Sequence, residues 1–372
     1  MKITPTIYVS VITDLTTDQR VIRICSTLQQ MGFEVTVLAR ELRGSLPLGE
    51  YPFAAKRIRC YFNKGVMQYA EFNLKLFWYL LFCKCRYLLA NDLDSLLPNY
   101  LVSRLRGKKI FYDTHEYFTG VPELRQSPIK RKIWKWIEDL IFPKLPVVYT
   151  VNECVQQLYN KEYGNTIGIV RNVPMHTTVT PMPLPEAWKG KKIILMQGAG
   201  INVGRGGLEL LEALRVLPED YILVYIGGGT QWDTIVQKTK EWQLQHRVTM
   251  LNKMAPANLK RYTPLAHIGC SLDSFDDINY HCNLPNKIFD YIHASVPVLA
   301  TAIPEVKRIV ETYQCGVCIQ SLDAGSIAHA IRQMVENEDR YKQYQQNCSK
   351  AAAELNWEKE SEKLKAIYRP YL

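Results

Sequence analysis

No stretch of this chain is long and apolar enough to cross a bilayer. The longest apolar run, Leu76–Cys83 (LFWYLLFC), is far below the roughly 20 residues a spanning helix needs. Met1–Pro5 leads almost directly into IYVSVI, without the leader and cleavage pattern of a secretory signal. Ten cysteines are scattered mostly singly, which suits a reducing cytosol better than a disulfide framework. Cys315-Gly-Val-Cys318 is a lone pair, and a zinc site would need a second pair at suitable spacing. It falls where an apolar strand begins, so it reads as buried free thiols. A cytoplasmic location is therefore expected.

With 372 residues, the chain exceeds one ordinary core and suits two domains. Its net charge of +10 is uneven: residues 1–185 carry +9 and the remainder +1. A basic first half predicts an anionic partner for that half, such as phospholipid head groups, a diphosphate-linked lipid or nucleic acid.

Strand-like and helical runs alternate throughout. In the first half, strands are expected at 7–12, 34–38, 109–112, 147–151 and 167–170, and helices near 18–31, 72–88, 96–105, 128–142 and 153–163. Pro174, Pro181, Pro183 and Pro185 then mark a linker. The rhythm restarts with strands at 192–197, 221–226, 248–251, 268–271, 298–300 and 316–319, and the chain closes in three helices near 324–336, 340–353 and 357–368. This order predicts an α/β protein of two doubly wound, Rossmann-like domains facing across a cleft. The expected domains are 1–178, joined by a returning helix at 355–372, and 186–354.

The second domain opens with KKIILMQGAGINVGRGGLELLEAL. Backbone amides in such a strand–loop–helix turn favour phosphate oxygens. Gly198, Gly200 and Gly204 miss the dinucleotide fingerprint by one residue in the second interval, which disfavours a nicotinamide site. Arg205, at the start of the helix, can fork onto a diphosphate. Further on, NLPNKIFDYIHASVPVLA combines a cap (Asn283 or Asn286), a first-turn Pro285 and an apolar stripe. Lys287 and Asp290 exceed what packing needs: the lysine can meet the diphosphate, and the carboxylate can accept a ribose diol. A solvated i, i+3 pair is the plainer alternative.

NLPNKIFDYIHASVPVLA, the QG…GRGG loop and the YIGGG turn together resemble the donor domain of GT-B glycosyltransferases, in particular the retaining GT4-like group. The resemblance implies diphosphate contacts from Arg205 and Lys287, with Asp290 as the ribose acid. It also implies a donor-site wall of Gly198, Gly200, Gly206, Gly228, Asn283, Leu284, Pro285 and Asn286. This chain departs from the group's Glu-x7-Glu motif, with Asp290 in place of the second acid and Cys282 in place of the first. The final AELNWEKESEKLKAIY resembles the group's last helix, which crosses back to the first domain.

In the first half, TTDQRVIRICSTLQQMGFEVTVLAR resembles the group's opening helix and second strand, with Thr16 and Gln19 forming a capping box. YDTHEYFTGVPEL places Asp113, His115 and Glu116 after a strand, where a ligand-facing loop is expected. By the same resemblance these face the acceptor, and His115 joins Arg205 and Lys287 as a catalytic group. Asp92-x-Asp94 reads as helix capping by Asp94 or Asn91 rather than a metal motif. Asp273, Asp276 and Asp277 read as loop residues. No metal or cofactor is expected, since the group generally works without one.

RQSPIKRKIWKW (125–136) interleaves basic residues with Ile129, Ile133, Trp134 and Trp136. It predicts peripheral contact with an anionic membrane face. Nucleic acid is disfavoured, because no zinc, RNA-binding or helix-turn-helix signature is present. The expected function is retaining transfer from a nucleotide-diphosphate sugar to a glycan or lipid-linked acceptor in cell-surface polysaccharide synthesis. A nucleotide-sugar epimerase and a non-catalytic transferase-like partner protein are the rival readings.

Overall fold

The structure is a computed structural model that describes residues 4–121, 124, 127–275 and 278–372, with only the backbone of Ile278 and Asn279. Arg125, Gln126, Asp276 and Asp277 lie outside the described residues. The chain divides into two compact units: residues 1–172 with 357–372, and residues 173–356.

Unit 1 is built on a parallel sheet of β1 (Thr6–Val11), β2 (Glu34–Glu41), β3 (Ala54–Arg59), β4 (Tyr87–Asn91), β5 (Lys109–Thr114), β6 (Val148–Thr150) and β7 (Gly168–Ile169), ordered β3-β2-β1-β4-β5-β6-β7. Its helices are α1 (Gln19–Gln30), α2 (Gly65–Phe82), α3 (Leu93–Arg106), α4 (Pro128–Ile141) and α5 (Glu153–Tyr163). The C-terminal helix Trp357–Tyr368 completes the unit. Trp357 Nε1 donates to Thr27 Oγ1 at 3.0 Å, and Tyr368 stacks on Phe111 at 4.4 Å.

Two strands of this sheet escape the sequence pattern. β3 reads AAKRIR, a basic edge strand with one buried apolar residue, Ile58. β4 is buried throughout. A short apolar run buried on both faces cannot be told from helix by periodicity, so the expected helix to residue 88 absorbed its start. The helix actually ends at Phe82, and Cys83 is extended. The expected caps shift too. Asp18, not Thr16, accepts from Val21 N–H at the start of α1, while Asp92 occupies the α3 cap position without a side-chain bond to that helix.

Unit 2 holds β8 (Lys192–Gly198), β9 (Tyr221–Gly227), β10 (Val248–Asn252), β11 (Ile268–Ser271), β12 (Val298–Thr301) and β13 (Gly316–Ile319), all parallel and ordered β10-β9-β8-β11-β12-β13. All six match the expected runs to within a residue. Its helices are α6 (Gly207–Leu214), α7 (Trp232–Glu241), α8 (Pro256–Tyr262), α9 (Ile278–His281), α10 (Asn286–His293), α11 (Pro304–Tyr313), α12 (Ala324–Val335) and α13 (Glu338–Glu354). Strand order reverses between β8 and β11, the switch point at which doubly wound sheets bind ligands beyond their carboxyl ends.

Helix α10 packs at this switch point through Ile288, Phe289, Tyr291 and Ile292, all buried. Burial of such side chains stabilises by roughly 1.5–3 kcal/mol each. The approach is close because Gly269 on β11 has no side chain: a Cβ there would lie 2.3 Å from the Tyr291 ring. The Tyr291 hydroxyl donates to Cys270 O at 3.2 Å and accepts from Gln197 N–H at 3.2 Å, tying α10 to both strands at the switch.

Candidate functional site

Two consecutive residues at the end of β8, Gln197 and Gly198, meet Asp290 and Lys287 of α10. Gln197 Nε2 donates to Asp290 Oδ2 at 3.2 Å, and Gln197 Oε1 accepts from Thr263 Oγ1 at 2.9 Å. One residue on, the Lys287 ammonium lies 4.0 Å from the point a Cβ on Gly198 would occupy. Lys287 and Asp290 therefore engage the strand end rather than each other, and no Lys287–Asp290 bond occurs among the described residues. Asp290 also borders a cavity of about 300 Å³ with Thr263 and His293.

The loop after β8 brings Arg205 to the same place. Gly206 precedes α6 with a φ of +73°, and a Cβ there would lie 2.3 Å from Leu272 Cβ. Only glycine permits that turn against the β11 end. Arg205 Nη1 donates to Asp273 Oδ2 at 2.8 Å, and its guanidinium lies over the Tyr280 ring at 4.4 Å. Asn283 Nδ2 donates to the same Asp273 oxygen at 2.7 Å. Asp273 is thus a buried anchor, not a plain loop residue, and Arg205 is held rather than free to fork.

Charge in this cluster is unbalanced. Burial lowers the pKa of Lys287; the Asp273 charge opposes this and the Arg205 charge adds to it. Burial works against the Arg205 guanidinium, but Asp273 more than offsets it and raises its pKa. Two cations thus share one buried carboxylate. Lys287 has no hydrogen-bond or ion-pair partner among the described residues, which leaves an excess positive charge.

The remaining expected donor-side residues surround this cluster unevenly. Gly228 follows β9, where a Cβ would lie 3.1 Å from Lys253 Cε. Gly200 is exposed, and its backbone is not left-handed. Leu284 and Pro285 are half-buried before α10. Asn286 is the first residue of the helix rather than its cap, and Pro285 holds the cap position with no side-chain bond.

In unit 1, the expected acceptor-side residues form a fixed network beyond β4 and β5. Arg20 grips Asp113 with two bonds, at 2.9 and 2.7 Å, and donates to Val170 O at 2.8 Å. His115 Nε2 lies 3.2 Å from Asp113 Oδ2, and Nδ1 lies 3.0 Å from Asp92 Oδ2. The His115 backbone N–H also donates to Asp92 Oδ1 at 2.8 Å. Asp92 adopts a φ of +57° to do so, a backbone cost of order 1 kcal/mol.

Burial opposes charge on His115, but Asp92 and Asp113 outweigh it and push its pKa well above the ordinary value. The ring is an imidazolium with both nitrogens engaged and no lone pair to accept a proton. Asp113 was expected to face an acceptor. It is instead fully buried between Arg20 and His115, so it can position His115 but cannot touch a ligand. Glu116 is exposed. Arg20 reads in the sequence only as part of a helix start, and Asp92 only as part of a capping segment, so neither is marked there as a partner of Asp113 or His115.

The fold is shared with solved structures. The sucrose-phosphate synthase of Thermosynechococcus elongatus aligns with a TM-score of 0.76 at 18% identity over 98% of both chains. Anabaena HepE in complex with UDP-glucose aligns with a TM-score of 0.76 at 12% identity over 98% of this chain and 99% of that one. A putative UDP-N-acetylglucosamine 2-epimerase from Listeria monocytogenes gives 0.68 at 13% identity, covering 99% and 97%. At such identities the likeness is one of fold. No curated protein sequence matches the chain. Residues 185–354 match the family model described as glycosyl transferases group 1. The chain has the GT-B fold, and its residues 185–354 are similar to the domain that this family model describes. Within that domain lie Gln197, Gly198, Arg205, Asp273, Lys287 and Asp290, while Asp113, His115 and Glu116 lie outside it.

Proposed function

We propose that this chain is a glycosyltransferase that takes a sugar from a nucleotide-diphosphate donor and passes it to a glycan or lipid-linked acceptor with retention of configuration. The observation that carries the reading is the Lys287 ammonium, which lies beside Arg205 at the unit 2 switch point and has no ion-pair partner among the described residues. A half-buried cation without a counter-charge is costly, and a diphosphate supplies one. As the bond from sugar to phosphate breaks, negative charge grows on the leaving oxygen. Lys287, Arg205 and loop amides stabilise that charge without reorganising. Asp290, held by Gln197, accepts hydroxyl bonds from the ribose.

On this reading the departing phosphate takes the acceptor's proton, so no separate carboxylate base is needed, and His115 contributes fixed positive charge rather than base catalysis. The donor itself serves as substrate, with no cofactor or metal. Polysaccharide synthesis at a cytoplasmic membrane face fits the exposed Ile129, Ile133 and Trp136 on the basic helix α4. Loss of all binding to anionic vesicles at low salt would remove that membrane element.

UDP-, GDP-, ADP- and CMP-sugars should be screened by thermal shift. One is expected to raise the melting temperature, as a ligand that binds only the native state must. Lys287→Ala should keep the ligand-free melting temperature and lose the shift. No shift with any nucleotide sugar would overturn the proposal. Because the fold also occurs in a protein titled as a putative 2-epimerase, the donor should also be incubated alone. Isomerised sugar without acceptor would favour that chemistry instead.

A further inference from the structure

Unit 1 contains a cavity of about 660 Å³ between α2 and α4, within the usual range for a ligand pocket. Its walls are mostly apolar, with Tyr69 and Ala70 from α2, Leu97 from α3, and Ile133, Trp134 and Ile137 from α4. Trp134 meets Tyr69 edge-on at 5.3 Å and Phe118 at 5.4 Å, which braces the wall. Asp94 supplies a polar point in the lining. It is nine-tenths buried, and its Oδ1 has no hydrogen-bond partner among the described residues. Burial, with the Asp92 charge adding to it, holds this carboxyl well above the usual carboxylate range. The raised pKa favours the protonated form, which can donate a hydrogen bond.

The outer side of α4 carries Ile129, Ile133, Trp136 and Leu140, an i, i+4, i+7, i+11 stripe that is exposed along its length. Ile133 belongs both to this stripe and to the cavity lining. The stripe and the cavity therefore meet at Ile133. A free glycan suits these walls poorly, because most of its hydroxyls would meet no partner.

Resting on the transferase reading above, we propose that this cavity receives the aliphatic chain of a lipid-linked acceptor, admitted past Ile133, with an uncharged ligand oxygen accepting from Asp94. The probe is n-dodecyl β-D-glucoside brominated on its chain and kept below its micelle concentration. Saturable quenching of tryptophan fluorescence is expected. Ile133→Glu should weaken half-saturation by at least about tenfold, because a carboxylate at the mouth must be desolvated. Ile129→Glu, on the same stripe but outside the lining, should leave it unchanged. Ala70→Trp, at an exposed helical position that lines the wall, should weaken it like Ile133→Glu with unaltered circular dichroism.

Absence of saturable quenching, or equal loss in Ile129→Glu and Ile133→Glu, would overturn the assignment. The melting-temperature rise with nucleotide sugar reads unit 2 separately. Its absence would defeat the proposed transferase and leave chain binding standing, whereas its presence without quenching would defeat only the cavity assignment.

Discussion

Arg205 and Asp273 are joined at 2.8 Å, and the Asp273 side chain has no exposure to solvent. Arg205 keeps some solvent contact, so the pair sits at the boundary of the unit 2 core. Asp273→Ala would leave Arg205 and Lys287 as neighbouring like charges and strand the Asn283 amide. Removing one partner of a buried pair costs about 3 kcal/mol, and urea unfolding should show a loss of that order. A change under about 1 kcal/mol would mean the anchor carries no structural weight.

Glu138 should make stability fall with rising pH. It is fully buried on α4, where burial pushes its carboxyl from the ordinary 4.5 up to about 7; Lys135 and hydrogen bonds from Tyr159 and Tyr163 oppose the shift. The folded pKa exceeds the unfolded one, so the favourable contribution is complete below about pH 4.5. It is lost as pH rises toward 7. Glu138→Gln removes this dependence. The stability difference between variant and parent should therefore grow in the variant's favour between pH 5 and 8, by up to roughly 3 kcal/mol. A difference that stays flat with pH rejects the shift.

His115 should stay protonated through neutral pH. Its folded pKa is raised, so its stabilising contribution is complete below the unfolded value near 6.5 and disappears only as pH climbs through the higher folded value. In carbon-detected NMR with labelled histidine, the resonance lost in His115→Gln should titrate with a midpoint above the ordinary 6.5. A midpoint near 6.5 would mean the two carboxylates do not hold it.

Cys83 should be the most reactive thiol near neutral pH. Its sulfur lies 3.3 Å from Cys85 Sγ and 3.2 Å from Lys108 Nζ, and Lys108 is itself anchored on Leu80 O and Cys83 O. The Cys85 contact, then Lys108, bring Cys83 down to about 6 against the opposing effect of burial. Iodoacetamide labelling followed by peptide mass spectrometry should show a midpoint near that value. Cys85→Ala should raise it further than Lys108→Met does, in both cases toward the ordinary thiol value of about 8.5. An unchanged midpoint in both variants excludes this environment.

The strands of unit 2 were legible because each is a short apolar run bounded by turn residues, and the whole set repeats at α/β spacing. In unit 1 the same reading missed β3 and β4, one too basic at an edge and the other too uniformly apolar to show a period. Arg205, Lys287 and Asp290 stood out as polar residues that packing did not require. Asp273 carried no such mark: an aspartate after a strand is ordinary, and only the return of the Arg205 loop to the β11 end makes it an anchor.

The order of apolar runs, glycines and prolines along the chain determined by itself that two parallel α/β units would form and which loops would carry charge, because periodicity and turn chemistry act over a few neighbouring residues. Tertiary structure alone decided which charges neutralise each other. Arg20 finds Asp113, His115 finds Asp92, Arg205 finds Asp273, and among the described residues Lys287 is left over. Such pairings join residues 23 to 93 positions apart, and local patterns hold no information about which distant strand ends the fold will set side by side.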